Sequence, residues 1–199
     1  TTDSMPPLEL KALEMTRGPT RDVGAGGGCP ALALQQRGVN VKAIDVAPLS
    51  CDAMRRRGIA DVECINLFDP RLGGGFDTIL MLMNGTGIAG KMSRLGGLLR
   101  RVASLLAPGG QILIDSSDLS YIYQDEDGGM DIDLSGKYYG EVDYQMRYDR
   151  VEGLPFDWLY VDYQLLSAAA REAGLDCRLV AEGDHYDYLA QLSLERTNP

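Results

Sequence analysis

Hydrophobic positions along the 199-residue chain fall into short runs that switch between a helical and a strand period. In residues 6–15, leucines at 8, 10 and 13 follow a Ser4 cap candidate, the pattern of a short amphipathic helix. Gly18 and Pro19 break it. Residues 21–24 read as a strand entering the cluster Gly24-Ala25-Gly26-Gly27-Gly28, and residues 30–37 resume helical spacing. Alternation over 39–45 predicts a second strand ending on Asp45; 48–58 predicts a helix with Pro48 in its first turn and Gly58 at its end. A brief strand follows at 62–65, then a stronger one at 76–83, nearly continuously apolar as in strands buried on both faces of a parallel sheet. Leu95, Leu98, Leu99, Val102, Leu105 and Leu106 give a core-facing helix over 91–106, and after Pro108-Gly109-Gly110 residues 111–115 form another buried strand.

The regularity stops between 116 and 161, where acids, glycines and tyrosines crowd and two pieces, 141–148 and 156–160, have the pattern of hairpin arms. Residues 163–173 return to helix. The last two strands, 175–181 and 186–194, are joined by Glu182-Gly183-Asp184, too short for a parallel crossover, so they run antiparallel. Alternating strands and helices predict one α/β domain over 1–199 with a mainly parallel sheet and an insertion at 117–161.

Charge and cysteine content narrow the function. Nineteen bases against 29 acids give a net charge of −10 and a pI near 4.5, which repels nucleic-acid backbones and anionic membranes. The longest apolar run is only 79–83, and residues 1–5 show no signal-peptide pattern, so neither a membrane span nor a leader is expected. Four cysteines without a CxxC pair, and a single histidine, argue against a zinc site and for buried reduced thiols in a cytoplasmic protein. The Arg55-Arg56-Arg57 and Arg100-Arg101 clusters lie on predicted helices and read as solvated faces.

Glycines let backbone amides approach a ligand at a helix N-terminus. Here Gly24, Gly26 and Gly28 follow Asp22, and position 29, where a dinucleotide fingerprint needs its third glycine, is cysteine. Asp45 closes the second strand, where an acid can accept both hydroxyls of a ribose. With Ala43-Ile44-Asp45-Val46, Phe76-Asp77-Thr78-Ile79-Leu80 and Leu105-Leu106-Ala107-Pro108-Gly109-Gly110 in this order, the chain resembles the class I S-adenosylmethionine-dependent methyltransferases, strongly over 20–116 and in topology over 162–195. The resemblance implies a three-layer Rossmann-like α/β fold: a seven-stranded, mostly parallel sheet with an antiparallel final strand, here with a β-hairpin inserted after the fifth strand. It implies S-adenosylmethionine as cofactor, with Gly24, Ala25 and Gly26 against its methionine part, Gly28 in the same cofactor loop and Asp22 orienting the ammonium through it. Asp45 and Val46 then take the ribose end, Asn66 and Leu67 the adenine, and the backbone at Asn84 passes the sulfonium. Thr20 and Arg21 depart from the apolar pair that usually opens the first strand, and with 19 residues before it the helix that commonly lids the cofactor is expected to be short or missing.

Methyl transfer from a sulfonium is largely a matter of placement, and a base is needed only where the acceptor must lose a proton. Asp115, Asp118 and His185 are the candidates; each also reads as a cap, turn or surface residue. No metal is expected. Eight of the ten tyrosines and the one tryptophan, Trp158, lie between 121 and 163, and nine acids against Lys137 lie between 115 and 143. The insertion is therefore expected to wall the acceptor pocket, with a neutral or cationic small molecule as acceptor and protein second; tyrosines pairing across an ordinary hairpin is the simpler alternative. A binding module without chemistry stays open, a nucleotide-dependent oxidoreductase is disfavoured by Cys29, and the oligomeric state is left open.

Overall fold

The computed structural model describes residues 5–124 and 136–195. Along the chain run α1 (Pro7–Met15), β1 (Thr20–Val23), α2 (Cys29–Gln36), β2 (Val41–Asp45), α3 (Pro48–Arg56), β3 (Val62–Cys64) and β4 (Phe76–Met81). After a 3-10 turn at Gly85–Ala89 come α4 (Met92–Ala103), β5 (Leu106–Ser117) and a second 3-10 turn, Ser120–Tyr123. The inserted segment carries β6 (Glu141–Tyr144), β7 (Arg147–Tyr148), β8 (Val151–Glu152) and β9 (Phe156–Leu159), and the chain closes with α5 (Tyr163–Glu172), β10 (Leu175–Glu182) and β11 (Asp187–Leu194).

Seven strands form one sheet in the order β10-β11-β5-β4-β1-β2-β3. Only β11 runs antiparallel to its neighbours. The period of two sorts side chains between the faces. Leu80, Leu113 and Leu189 pack with α1, α2 and α3 through Leu8, Leu34 and Met54; Ile79, Met81, Ile112 and Ile114 pack with α4 and α5 through Leu98, Leu99 and Leu166. Strand order reverses between β1 and β4, which opens a crevice at their carboxyl ends.

Several boundaries differ from the sequence reading. The helix expected over 91–106 ends at Ala103: Leu105 stays in the core, but Leu106 pairs with Phe76 as the start of β5. Pro108-Gly109-Gly110 is not a stop before that strand but an irregularity within it, where the register with β4 slips. β4 ends at Met81, two residues early, because Met83 and Asn84 take left-handed φ of 61° and 63° and turn the chain. The inserted hairpin is β6 against β9, and its first arm breaks after Tyr144 so that β7 and β8 pair separately. Ser4 and the acids at 125–133 lie outside the described residues.

The cysteines correct the expectation of buried thiols. All four are free, but only Cys51 is buried; Cys29 and Cys64 are exposed, because each sits at an element end beside the crevice loops rather than on a core face. Thr20 and Arg21, in place of an apolar pair, are nonetheless buried in β1. The Arg21 guanidinium lies 4.4 Å over the Phe76 ring and donates to Glu63 at 3.4 Å, which lets a charged stem pack as core.

Candidate cofactor and acceptor site

The crevice at the carboxyl ends of β1 and β2 is a cavity of about 410 Å³, lined by Val23, Gly24, Ile44, Asp45, Val46, Ile65, Asn66, Leu67, Phe68, Ile88 and Trp158. Of the cofactor residues expected from sequence, Gly24, Asp45, Val46, Asn66 and Leu67 line it. The Asp45 carboxylate is held by two backbone donors, Gly26 N–H and Ala47 N–H, each at 2.8 Å. Each oxygen keeps a second lone pair for a ligand hydroxyl. Asn66 Oδ1 accepts the Phe68 N–H at 2.8 Å and shapes the loop that presents Leu67 and Phe68.

Asp22, Ala25, Gly26 and Gly28 do not line the cavity; Ala25, Gly26 and Gly28 build the loop beside it, and Asp22 lies in β1. Gly28 caps α2 in a left-handed conformation. Asp22 is buried below that loop, and burial pushes its carboxyl up to about 7 against the stabilising Ala31 N–H, with Glu9 and Asp45 adding repulsion. Its Oδ2 has no hydrogen-bond partner among the described residues. Glu9 on α1 is buried too, and desolvation raises its carboxyl.

Asn84 turns its side chain away from the cavity. Its Nδ2 donates to the Leu159 carbonyl at 3.1 Å, and its Oδ1 accepts from Thr86 and Ser116 hydroxyls at 3.1 and 2.8 Å. Asp115 accepts backbone N–H groups of Met83, Asn84 and Gly85 at 3.0, 2.7 and 3.1 Å, clamping the left-handed turn after β4. Burial lifts this carboxyl to about 6 despite those three donors. Asp118 accepts the Ser120 N–H and the Tyr139 hydroxyl, both at 2.8 Å. His185 is exposed in the turn between β10 and β11. None of these three candidate bases lines the cavity.

Six lining residues are absent from the sequence reading of the cofactor site: Val23, Ile44, Ile65, Phe68, Ile88 and Trp158. Phe68 had a signal, an aromatic directly after Asn66-Leu67. Trp158 arrives from β9, where the insertion lies across the Gly85–Ala89 turn, and its ring packs on Gly87 so closely that a Cβ there would overlap it. Of the two arginine clusters, Arg55, Arg56, Arg57 and Arg100 are exposed as expected, and only Arg101 is half-buried; two of these arginines nonetheless bond to the loops. Arg101 donates to the carbonyls of Leu67 at 2.8 Å and Asp69 at 2.9 Å, holding the loop after β3, and Arg57 donates to the Gly27 carbonyl in the glycine loop.

Fold and crevice together define an α/β protein with a ligand-sized cleft at the carboxyl ends of its central strands. No family model matches the chain. A solved SAM-dependent methyltransferase from Bacteroides fragilis, in complex with S-adenosyl-L-homocysteine, is 51% identical with a TM-score of 0.89, over 96% of this chain and 78% of that one. The CcbJ methyltransferase from Streptomyces caelestis, 15% identical, is alike in fold, with a TM-score of 0.69 over 98% of this chain and 92% of the other. The cypemycin N-terminal methyltransferase from a Streptomyces species is 31% identical over 100 residues, 49% of this chain and 41% of that relative, so the match spans less than half the relative's length. The chain belongs to the S-adenosylmethionine-dependent methyltransferases.

The residues present suit that cofactor. A Cβ on Gly24 would stand 3.3 Å from Ile88 Cδ1 and narrow the crevice, so glycine keeps it open. The unpartnered Asp22 Oδ2 and the buried Glu9 put two carboxyls beneath the loop, and a ligand that carries an ammonium and a sulfonium would favour their ionised forms.

Proposed function

We propose that this methyltransferase acts on a small-molecule acceptor, bound between the cofactor crevice and the inserted hairpin. The observation that carries the reading is Trp158: one side chain of the insertion walls the crevice and also lines a second, smaller cavity. When bound, the cofactor supplies a methyl carbon already activated by its sulfonium, so the chain's task is to hold the acceptor in line and exclude water. In this reading Gly24, Ala25, Gly26, Gly28 and Asp22 hold the methionine part, Asp45 and Val46 the ribose, and Asn66, Leu67 and Phe68 the adenine. Asp115 acts as a positioning residue, keeping Met83, Asn84 and Gly85 in the turn that borders the reacting end of the crevice. Asp118 supports the fold at the insertion through Ser120 and Tyr139, and His185 stays exposed in the turn of the last hairpin.

A peptide amine is the second reading, prompted by the curated relative named for N-terminal methylation. Four cysteines without a pairing pattern favour a cytoplasmic setting. Calorimetry with S-adenosylhomocysteine and with NADH tests the cofactor assignment: the first binds and the second does not. Turnover against a library of small molecules and short peptides tests the acceptor; turnover of peptides alone overturns the small-molecule reading, and cofactor binding with no turnover of any acceptor favours a binding module.

A further inference from the structure

On the outer side of Trp158 lies a cavity of about 240 Å³ lined by Tyr144, Met146, Phe156, Trp158 and Tyr160. Phe156, Trp158 and Tyr160 step by two along the chain and so share a face, and the β6–β9 register sets Tyr144 opposite Phe156. Their rings make a continuous surface: Tyr144 and Phe156 are stacked with centroids 5.8 Å apart, Phe156 and Trp158 meet edge to face at 6.0 Å, and the Tyr144 and Tyr160 hydroxyls join at 3.0 Å. The other face of the hairpin is committed to the fold. Glu141 accepts the Met92 N–H at the start of α4, Asp157 pairs with Lys91, and Leu159 is core.

We infer that this aromatic face is the acceptor subsite and that its occupant is a small amine carrying a flat apolar ring. The inference rests on the methyltransferase reading above. Size comes first: 240 Å³ is below the roughly 300 Å³ at which sites for drug-sized ligands begin, so it takes one ring and a short arm, not a folded chain. Charge comes second. No charged side chain among the described residues lines the cavity, so an anion finds no partner among them, while the π faces and the net charge of −10 both favour a cation. Chemistry comes third. Asp115 is clamped by three amides, Asp118 is engaged by Ser120 and Tyr139, and His185 lines neither cavity, so no free base among the described residues faces the junction. An amine can do without one: the bound ammonium gives one proton to water, the freed lone pair forms the N–C bond as the methyl's C–S bond breaks, the bonding pair stays on sulfur, and the product leaves as the N-methylated ammonium.

Trp158 is the sole tryptophan, so its emission reads occupancy of this face without turnover. The full chain is saturated with S-adenosylhomocysteine and titrated with 2-phenylethylamine and with 3-phenylpropionate. The expected result is saturable quenching with at least tenfold tighter binding of the amine. Phe156→Ala weakens amine binding at least tenfold and leaves S-adenosylhomocysteine binding by calorimetry unchanged. Met146→Lys, at a side chain 65% exposed on the rim, reverses the preference toward the carboxylate without touching the core. Equal binding of the two probes overturns the amine assignment, and unchanged amine binding in Phe156→Ala overturns the subsite. Failure of S-adenosylhomocysteine to bind at all would overturn the methyltransferase reading instead.

Discussion

Asp22 shows how one residue couples the cofactor site to the solvent. It is 2% exposed, carries an unpartnered oxygen and has Glu9 and Asp45 rather than a cation beside it, so its proton is held up to about pH 7; Asp115 holds its own to about pH 6. In the unfolded chain both titrate near 4, so between pH 4 and 7 the native state binds more protons than the unfolded one and stability falls as pH rises. Asp69 works the other way: the Arg71 side chain lowers its carboxyl to about 2, so its contribution is lost only below pH 4. Urea unfolding of the unliganded protein should therefore show a loss of a few kcal/mol, to order of magnitude, from pH 4.5 to pH 7.5. Asp22→Asn should remove the larger part of that slope. A ligand ammonium near Asp22 favours its ionised form, so S-adenosylhomocysteine binding at pH 6 should release protons. Calorimetry in buffers of different ionisation enthalpy measures the release, and no difference between buffers counts against Asp22 facing the ammonium.

At the scale of elements, two contacts far apart in sequence fix the crevice walls. The Gly85–Ala89 turn brings Gly87 under the Trp158 ring, where only a missing side chain leaves room. Gly87→Ala should displace Trp158, shift its emission to the red and cost on the order of 1–3 kcal/mol through overpacking. An unchanged emission maximum would mean that the ring is not seated there. At the far end of α4, Arg101 bonds the carbonyls of Leu67, Asp69 and Leu72 and holds the loop after β3 against the helix. Hydrogen bonds to a charged group contribute about 1.5–3 kcal/mol each. Since the loop can re-form on binding, Arg101→Ala should weaken S-adenosylhomocysteine about tenfold by calorimetry, while Arg100→Ala, on the same helix without those contacts, should not.

For the whole molecule, a ligand that binds only the folded state raises stability by mass action, about 2.7 kcal/mol at a hundredfold excess over Kd. For a chain of 199 residues that is about 5–10 °C in melting temperature. S-adenosylhomocysteine should give such a shift and NADH none. Asp45→Asn, which keeps the side-chain size but not the charge proposed to accept two ribose hydroxyls, should lose most of it. A full shift in that variant would place the ribose elsewhere. No helix among the described residues is long and apolar enough to cross a membrane.

The sequence by itself determined the sheet and the glycine loop, because both are written in neighbouring residues. The period of two in Ile79-Leu80-Met81 and Ile112-Leu113-Ile114 sets which faces are buried, and glycine at 24, 26 and 28 beside Asp22 and Asp45 sets the loop and the strand end. Element ends were less legible. Leu105 is buried whether α4 continues or stops, so its period could not mark the stop, and nothing local announces left-handed φ at Met83 and Asn84, which the Asp115 clamp imposes from the next strand. Only the tertiary structure decided what meets across the crevice. Trp158 on Gly87, Arg101 on the loop after β3 and Arg57 on Gly27 join residues 30 to 71 positions apart. Such contacts arise from packing of whole elements, and a one-dimensional pattern carries the faces that pack but not the partners they find.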